Sequence, residues 1–417
     1  MDVAGRDTGL APRRAAWRVL QAVRAGVPFE VALSDALAPL DGADRRLAHE
    51  LAAGTMRSAG VLDLAIAPHV TRGYEKVEPA LRELLRLGAY QLTGLDRIPA
   101  HAAVSTTVAL ARESPHRRAA PFVNAVLRRV AEQAPRVVPG RASHPGWLVT
   151  RWTRHFGSAE TARLLAWNDT RPRLVIQPAR WDIDRIGEAW RQAGIAFEPA
   201  PLGAGLIPGQ SRPQELPGFA EGGFIVQDAA QALVVRFFAV PEGRAVYDAC
   251  AAPGGKSIAL GRSARVVVAA DRNLGRVRRL RENLARAGSG REHPCVADAA
   301  APPVAGVDAA ILDAPCLGTG VLARHPDARW RVRPEAIARL VAQGAALLRG
   351  VAPTVRPGGL LCFSTCSLEP EENEMQIETF LASHPEFRRE SGPAPEGTLS
   401  PAGDLTILPH RHGMDGA

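Results

Sequence analysis

Two cysteines of this sequence each follow a short apolar run that is typical of a buried strand. Cys316 ends the stretch ILDAPC, and Cys366 lies near the end of GGLLCFSTCS. Because the carboxyl ends of parallel strands meet at one edge of a sheet, we expect the two thiols to lie close together. A thiolate can act as a nucleophile in catalysis. A zinc pair stays open as an alternative, although no C-x-x-C or nearby His-x-x-x-His supplies the remaining ligands.

The other three cysteines, Cys250, Cys295 and Cys362, are interpreted as small buried hydrophobic residues. Five thinly spread cysteines form no disulfide framework. The start of the chain has no apolar signal segment, and no run of about 18 apolar residues appears in the sequence. We therefore expect a soluble, cytoplasmic protein in a reducing compartment.

A glycine-rich stretch, YDACAAPGGKS, partly matches the phosphate-binding loop G-x-x-x-x-G-K-[ST]. Gly255, Lys256 and Ser257 fit that pattern, but Cys250 occupies the position of its first glycine. Pro253 also removes one backbone N–H group that such a loop would offer to phosphate. The stretch is therefore a poor match to an ATPase, and a different nucleoside ligand is favoured.

Two acidic residues that follow later predicted strands indicate which nucleoside this is. Asp271 ends the second strand of the α/β part, 23 residues beyond Asp248, where an acid binds the hydroxyls of a ribose. Asp298 follows the third strand and is expected near the adenine. Gly254 and Gly255 would let the backbone approach the ligand closely. An adenosine without a phosphate chain, namely S-adenosylmethionine, fits this set.

A methyl donor beside a thiolate predicts alkylation of an inert pyrimidine carbon. The C5 atom of cytosine becomes nucleophilic once a thiolate has added to C6, and a base must later remove the C5 proton. A carboxyl or ammonium group at N3 and the exocyclic edge would stabilise the developing charge. Lys256 is one of only two lysines among 51 basic residues, and a compact ammonium is not interchangeable with a guanidinium, which indicates a functional role. The target base would have to be unpaired or flipped out of its stack.

Three segments are expected to position these residues. Residues 1–135 carry apolar stripes at helical spacing, such as the one through Leu20, and predict an all-α bundle. Residues 136–235 begin with a Pro/Gly-rich linker and then mix helix-like and strand-like runs, which predicts a small α+β module. Residues 236–417 alternate strands with helices, and this predicts an α/β Rossmann-like domain with a doubly wound parallel sheet.

The charge of the chain indicates its class of partner. A net charge of +8 and a sequence pI of about 9.9 favour an anionic partner, nucleic acid first. Arginines on the outer helix faces suit RNA contacts, although solubility alone also explains them. We expect a monomer that binds neither a membrane nor a metal ion.

Three stretches of the sequence resemble the signature motifs of one enzyme family. They are YDACAAPGGKS, ILDAPCLGTGVLARHPDARW and GGLLCFSTCSLEPEENE. They closely resemble those of the bacterial RNA 5-methylcytosine methyltransferases of the Sun/Fmu (RsmB) family, and the N-terminal helices resemble the NusB-like RNA-binding domain that heads this family. The resemblance implies a class I methyltransferase fold, S-adenosylmethionine as cofactor, and a cytosine C5 of 16S rRNA as target, in naked rRNA or in a partly assembled small subunit.

The resemblance also implies roles for individual residues. Cys366 matches the family's nucleophile, Cys316 the residue that assists product release, and Asp313 a bridge between the cofactor pocket and the base. Asp271 would bind the ribose, and Asp298 the adenine region. The methionine side of the cofactor would lie against the loop residues Cys250, Ala251, Ala252, Pro253, Gly254, Gly255 and Lys256. The motif after the second cysteine consists of Glu371, Glu372 and Asn373, which also suit an acidic helix start.

Other functions stay open on the sequence alone. A non-catalytic RNA-binding or ribosome-assembly protein could keep the same scaffold. An amino-group methyltransferase is disfavoured, because the motif Asp-Ala-Pro-Cys carries a thiol where that class has an aromatic residue. In the family that the chain resembles, a final apolar strand usually follows LPHRHGMDGA and lies between the fifth and sixth strands, so we expect unpaired backbone groups there unless the sheet closes differently.

Overall fold

The computed structural model describes residues 9–133, 141–209 and 212–417. Pro135, Pro139 and Gly140 of the predicted linker lie outside these ranges. The chain forms two compact units, the first comprising Met1–Thr170 with Leu322–Arg331 and the second comprising Arg171–Val321 with Val332–Ala417. The predicted domain boundaries after residues 135 and 235 rest on composition and stay predictions.

The first unit is helical, as its apolar stripes predict. Its hydrophobic core includes Leu51, Leu62, Leu84 and Leu110, none of which exposes any surface. Proline is tolerated in the first turn of a helix, where its missing N–H has no intrahelical partner, and one helix begins with Pro79. The helices are α1 Leu10–Arg24, α2 Phe29–Leu37, α3 Gly42–Arg57, α4 Ala59–Ile66, α5 Pro79–Thr93, α6 Ala100–Glu113, α7 Ala120–Gln133, α8 Gly146–Phe156 and α9 Ser158–Asn168.

A buried arginine ties the segment Leu322–Arg331 into this unit. Arg329 is completely buried, in a short helix α14 (Ala328–Arg331). Its Nη1 atom donates to Asp169 Oδ1 at 2.7 Å and to the Ser143 carbonyl at 3.2 Å, and its Nη2 atom donates to the Asn168 carbonyl at 2.7 Å. A guanidinium with several acceptors at fixed positions compensates a large part of its desolvation.

Arg329→Ala is expected to destabilise the first unit by about 3–5 kcal/mol, because the buried Asp169 carboxylate would lose its charged partner. The measurement is the free energy of unfolding from a denaturant titration in which far-ultraviolet circular dichroism monitors unfolding. Arg163→Ala is the matched control, since the Arg163 side chain is 65% exposed whereas Arg329 is completely buried. Equal unfolding midpoints for the two variants would contradict a structural role for Arg329.

The second unit begins with a small antiparallel sheet. Among the described residues this sheet has four strands in the order β2-β3-β1-β4. A helix packs on it, and this helix begins where Asp182 accepts a hydrogen bond from the Arg185 amide. The elements are β1 Ile176–Pro178, α10 Ile183–Gln192, β2 Phe197–Pro199, β3 Leu206–Pro208 and β4 Phe224–Val226.

A parallel sheet of five strands in the described residues forms the centre of the second unit. The strand order is β7-β6-β5-β8-β9, and every neighbouring pair is parallel. The chain therefore reverses its direction of winding between β5 and β8, which is the switch point of a doubly wound sheet. The elements are α11 Ala229–Phe238, β5 Ala245–Asp248, α12 Gly255–Gly261, β6 Val266–Asp271, α13 Leu274–Ala287, β7 Glu292–Val296, β8 Val307–Asp313, α15 Glu335–Val351, β9 Val355–Ser364, α16 Glu374–Ser383 and α17 Pro409–His412.

The segment after α16 packs on the hydrophobic core of the second unit. Leu405 and Ala417 pack against a buried cluster that includes Val246 and Ile311 of the parallel sheet. Ile407 and Ala417 exchange two backbone hydrogen bonds, of 2.7 and 3.2 Å. In the described part of the chain, no helix is long and apolar enough to cross a membrane.

Candidate active site

The two cysteines that the sequence singles out meet at the carboxyl edge of the parallel sheet. Cys316 follows β8 and Cys366 follows β9, and their Sγ atoms lie 3.5 Å apart. Both thiols are free and partly exposed. Hydrogen bonding to Cys316 and burial raise the pKa of the Cys366 thiol, whereas the Lys256 ammonium lowers this pKa.

The acidic motif makes a hydrogen bond to the residue that follows each cysteine, namely Leu317 and Ser367. Glu372 is buried, and its Oε1 atom accepts a hydrogen bond of 3.0 Å from the amide of Leu317. Asn373 donates from Nδ2 to the carbonyl of Ser367 at 2.9 Å. These two side chains therefore hold both cysteine loops, which is a more specific position than the acidic helix start considered from the sequence.

Lys256 lies in a hydrogen-bonded network with Asp313 and Gln231. Its Nζ atom donates to Asp313 Oδ2 at 2.8 Å and also to Gln231 Oε1. Asp313 Oδ1 accepts a further hydrogen bond of 2.9 Å from the Ser364 hydroxyl. Burial opposes the charged form of Lys256 most strongly, but Asp313, Asp248 and Cys366 together outweigh it and raise the pKa of the ammonium. Lys256 is therefore a buried cation paired with Asp313.

The glycine-rich stretch turns sharply between β5 and α12. Gly254 has φ +113°, a left-handed conformation that side chains disfavour, and an added Cβ would lie 2.8 Å from Leu280 Cδ1. An added Cβ on Gly255 would lie 2.6 Å from Gln227 Nε2. Asp248 at the end of β5 is buried and accepts from the Ser257 hydroxyl at 2.6 Å, and burial raises the pKa of this carboxyl to about 6.

Asp271 offers a buried acceptor that suits a ribose. Its Oδ1 atom accepts from the Asn273 amide at 3.0 Å. Its Oδ2 atom lies 3.3 Å from Arg276 Nη2 but receives no hydrogen bond from the described residues. A buried carboxylate oxygen without a donor is costly unless a ligand supplies one, and a ribose hydroxyl would do so. The exposed Asp298 lies two residues beyond β7 and accepts from the Ala300 amide at 2.9 Å.

One cavity of about 210 Å³ joins most of the residues predicted from the sequence. Those on its wall are Cys250, Ala252, Asp271, Asp298, Asp313, Cys316 and Cys366. Five predicted residues do not line it, namely Ala251, Pro253, Gly254, Gly255 and Lys256. In the described ranges, no group of three or more His, Cys, Asp and Glu side chains could hold a metal ion.

Three residues that the sequence analysis did not assign to the site also belong to it. Gln231 of α11 contacts Lys256, while Gln343 and Leu347 of α15 line the cavity one helical turn apart. An i, i+4 spacing puts Gln343 and Leu347 on one helix face and was visible in the sequence. Nothing in the sequence indicated which face meets the cavity, and no local pattern links Gln231 to Lys256.

A doubly wound sheet in this strand order, with a glycine turn after its central strand and an acid at the end of the next strand, has the features that the sequence predicts for a class I methyltransferase. The cavity extends from that acid to the two thiols. The protein is an S-adenosylmethionine-dependent methyltransferase.

The sequence relatives narrow the class to one family. The family described as 16S rRNA methyltransferase RsmB/F matches residues 235–417, and the NusB family matches residues 10–132. The probable ribosomal RNA small subunit methyltransferase B of Synechocystis sp. is 36% identical over 93% of both chains. The ribosomal RNA small subunit methyltransferase B of Salmonella arizonae is 33% identical over 88% of this chain and 89% of its own. The chain belongs to the RsmB/F family of rRNA methyltransferases.

Solved structures share the fold. The crystal structure of PH0851 superposes with a TM-score of 0.81 at 26% identity, and the match covers 98% of this chain and 97% of that one. NSun6 from Pyrococcus horikoshii superposes with a TM-score of 0.58 at 18% identity over 65% of this chain and 96% of its own. The predicted NusB-like helical domain and Rossmann-like methyltransferase domain are thus confirmed.

Proposed function

We propose that this protein methylates C5 of a cytosine in 16S rRNA through a covalent bond between Cys366 and C6 of the base. The observation that carries the proposal is the pair of sulfur atoms, 3.5 Å apart on the wall of the cavity that also contains Asp271 and Asp298. Methylation of a ring nitrogen or a ribose hydroxyl requires no thiol, whereas C5 alkylation requires a nucleophile that activates the ring.

The bound cofactor supplies an electrophilic methyl group on its sulfonium. We assign its ribose to Asp271, its adenine region to Asp298, and its methionine side to the turn from Cys250 to Lys256. The orphaned Asp271 Oδ2 atom and the tight Gly254 turn support this assignment.

In the first half of the reaction, the Cys366 thiol loses its proton to solvent and its sulfur bonds to C6. The electron pair of the C5–C6 double bond then becomes available at C5, which takes the methyl group. Negative charge that develops on the ring at N3 and O2 would be stabilised by the positive charge of Lys256, which does not line the cavity but is paired at 2.8 Å with the wall residue Asp313. Asp313 lies on the cavity wall and is suited to bridge the methyl donor and the base.

In the second half, the C5 proton must leave before the enzyme is released. Loss of this proton returns an electron pair to form the C5–C6 double bond, and the bond between C6 and Cys366 Sγ breaks. We assign this release to Cys316, since its sulfur adjoins the leaving sulfur. The products are 5-methylcytidine in the RNA, S-adenosylhomocysteine and one proton.

The test is release of tritium from 16S rRNA transcribed with cytidine labelled at C5. We expect one tritium released to water for each methyl group incorporated, and 5-methylcytidine as the methylated nucleoside after digestion. The parallel control omits S-adenosylmethionine. Methyl incorporation with complete retention of tritium would place the methyl group elsewhere and refute the proposal.

A further inference from the structure

Gln231 is the second acceptor of the Lys256 ammonium. It lies in the first turn of α11, 25 residues before Lys256, and its Oε1 atom accepts a hydrogen bond from Nζ. The same Nζ atom donates to Asp313 Oδ2 at 2.8 Å. An ammonium has three N–H donors, so one of them has no partner among the described residues.

An amide and a carboxylate have different effects on a buried ammonium. Lys256 is only 7% exposed, so solvent contributes little to its orientation. Asp313 provides a hydrogen bond together with a negative charge, whereas Gln231 provides a hydrogen bond alone. The amide therefore restricts the direction of the ammonium without neutralising it further.

We propose that Gln231 is a positioning residue, which fixes the direction of the Lys256 ammonium beside Asp313 while leaving its positive charge available to the Cys366 sulfur. This inference rests on the proposed function above. It predicts that a carboxylate at position 231, which is nearly isosteric with the amide, changes the charge around Lys256 and so the reactivity of the Cys366 thiol. Loss of packing at position 231 would not have this effect.

The groups that face Cys366 come from several elements. Cys316 lies in the loop after β8, Asp313 ends β8, and Lys256 lies on α12. The charge of Asp248, at the end of β5, also raises the pKa of the Lys256 ammonium. Lys256 is the cation in this set and lowers the pKa of the Cys366 thiol, while Asp313 raises it. A second carboxylate beside Lys256 would offset the positive charge that lowers the pKa of the Cys366 thiol, so this pKa would rise.

The experiment compares Gln231→Glu with Gln231→Leu in the full-length protein. The first readout is the pH at which alkylation of Cys366 by iodoacetamide reaches half its maximal rate. Alkylation is measured by peptide mass spectrometry, in the absence of RNA. We expect this midpoint to rise by about one pH unit in Gln231→Glu and to stay near the wild-type value in Gln231→Leu. The second readout is tritium release, for which kcat should fall roughly tenfold in Gln231→Leu at unchanged KM for S-adenosylmethionine.

Each outcome decides the inference. An unchanged alkylation midpoint in a Gln231→Glu protein with wild-type melting temperature overturns it. If Gln231→Glu does not fold, Gln231→Leu decides, because a wild-type kcat in that variant also overturns it and a lowered kcat at unchanged KM supports it. Absence of tritium release by the wild-type enzyme is a failure of the proposed function instead, and the alkylation midpoint still tests the charge effect of position 231.

Discussion

Cys366→Ala is expected to reduce methyl transfer to 16S rRNA by roughly 10⁴- to 10⁶-fold, because the variant loses the sulfur that we propose as the nucleophile that activates the ring. Binding of S-adenosylmethionine should persist, since Asp271 and the glycine-rich turn, to which we assign the cofactor, are unaffected. Single-turnover incorporation of labelled methyl groups measures the first effect, and calorimetric titration measures the second. Loss of methyl transfer together with retained cofactor binding would show that the variant is folded but lacks the chemical step.

The matched control for this loss is Cys295→Ala. Cys295 is a free, partly buried cysteine on β7 that does not line the cavity, so the same chemical change there should leave the rate within a few-fold of wild type. If Cys366→Ala kept more than about a tenth of the wild-type rate, Cys366 would not be the nucleophile, and Cys316 would be the next residue to test.

Cys316→Ala is expected to accumulate a covalent protein–RNA complex that survives boiling in sodium dodecyl sulfate. Addition to C6 should proceed, because the hydrogen bond with Cys316 favours the neutral Cys366 thiol, and its loss lowers the pKa of that thiol and raises its thiolate fraction. Release should be slow, since the residue that we assign to this step is absent. The measurement is a band of reduced mobility in denaturing electrophoresis with S-adenosylmethionine and unmodified 16S rRNA.

The double variant Cys316→Ala/Cys366→Ala tests whether this band reflects the proposed bond. We expect no adduct, because the attacking sulfur is missing. Adduct formation in the double variant would identify a different nucleophile. Multiple turnover by Cys316→Ala at the wild-type rate without any adduct would show that Cys316 has no part in release.

Some of this architecture was predictable because periodicity is a local property of the chain. The parallel strands are buried on both faces and therefore appear as continuous apolar runs, as in VDAAILD, where β8 is found. Polar residues at the ends of such runs necessarily share one edge of the sheet. The proximity of Cys316 and Cys366, which are 50 residues apart, follows from this geometry.

Other features of the site were not predictable, because they depend on which side chains meet across elements. The contact of Gln231 with Lys256 joins α11 to α12, and the contact of Glu372 with Leu317 joins the two cysteine loops. No spacing rule relates these pairs. The burial of Arg329 could not be predicted either, because its partners Ser143 and Asp169 precede it by 186 and 160 residues.

The sequence by itself determined the class of fold, the cofactor and the residues that can act as nucleophiles, because residue type and alternation along the chain specify strands, turns and reactive groups. The tertiary structure decided how these groups are charged and oriented. Lys256 keeps its proton because Asp313 lies 2.8 Å away, and Cys366 is held as a thiol because Cys316 and burial raise its pKa. Electrostatic effects of this kind depend on distance and desolvation, and both arise only when remote segments pack together.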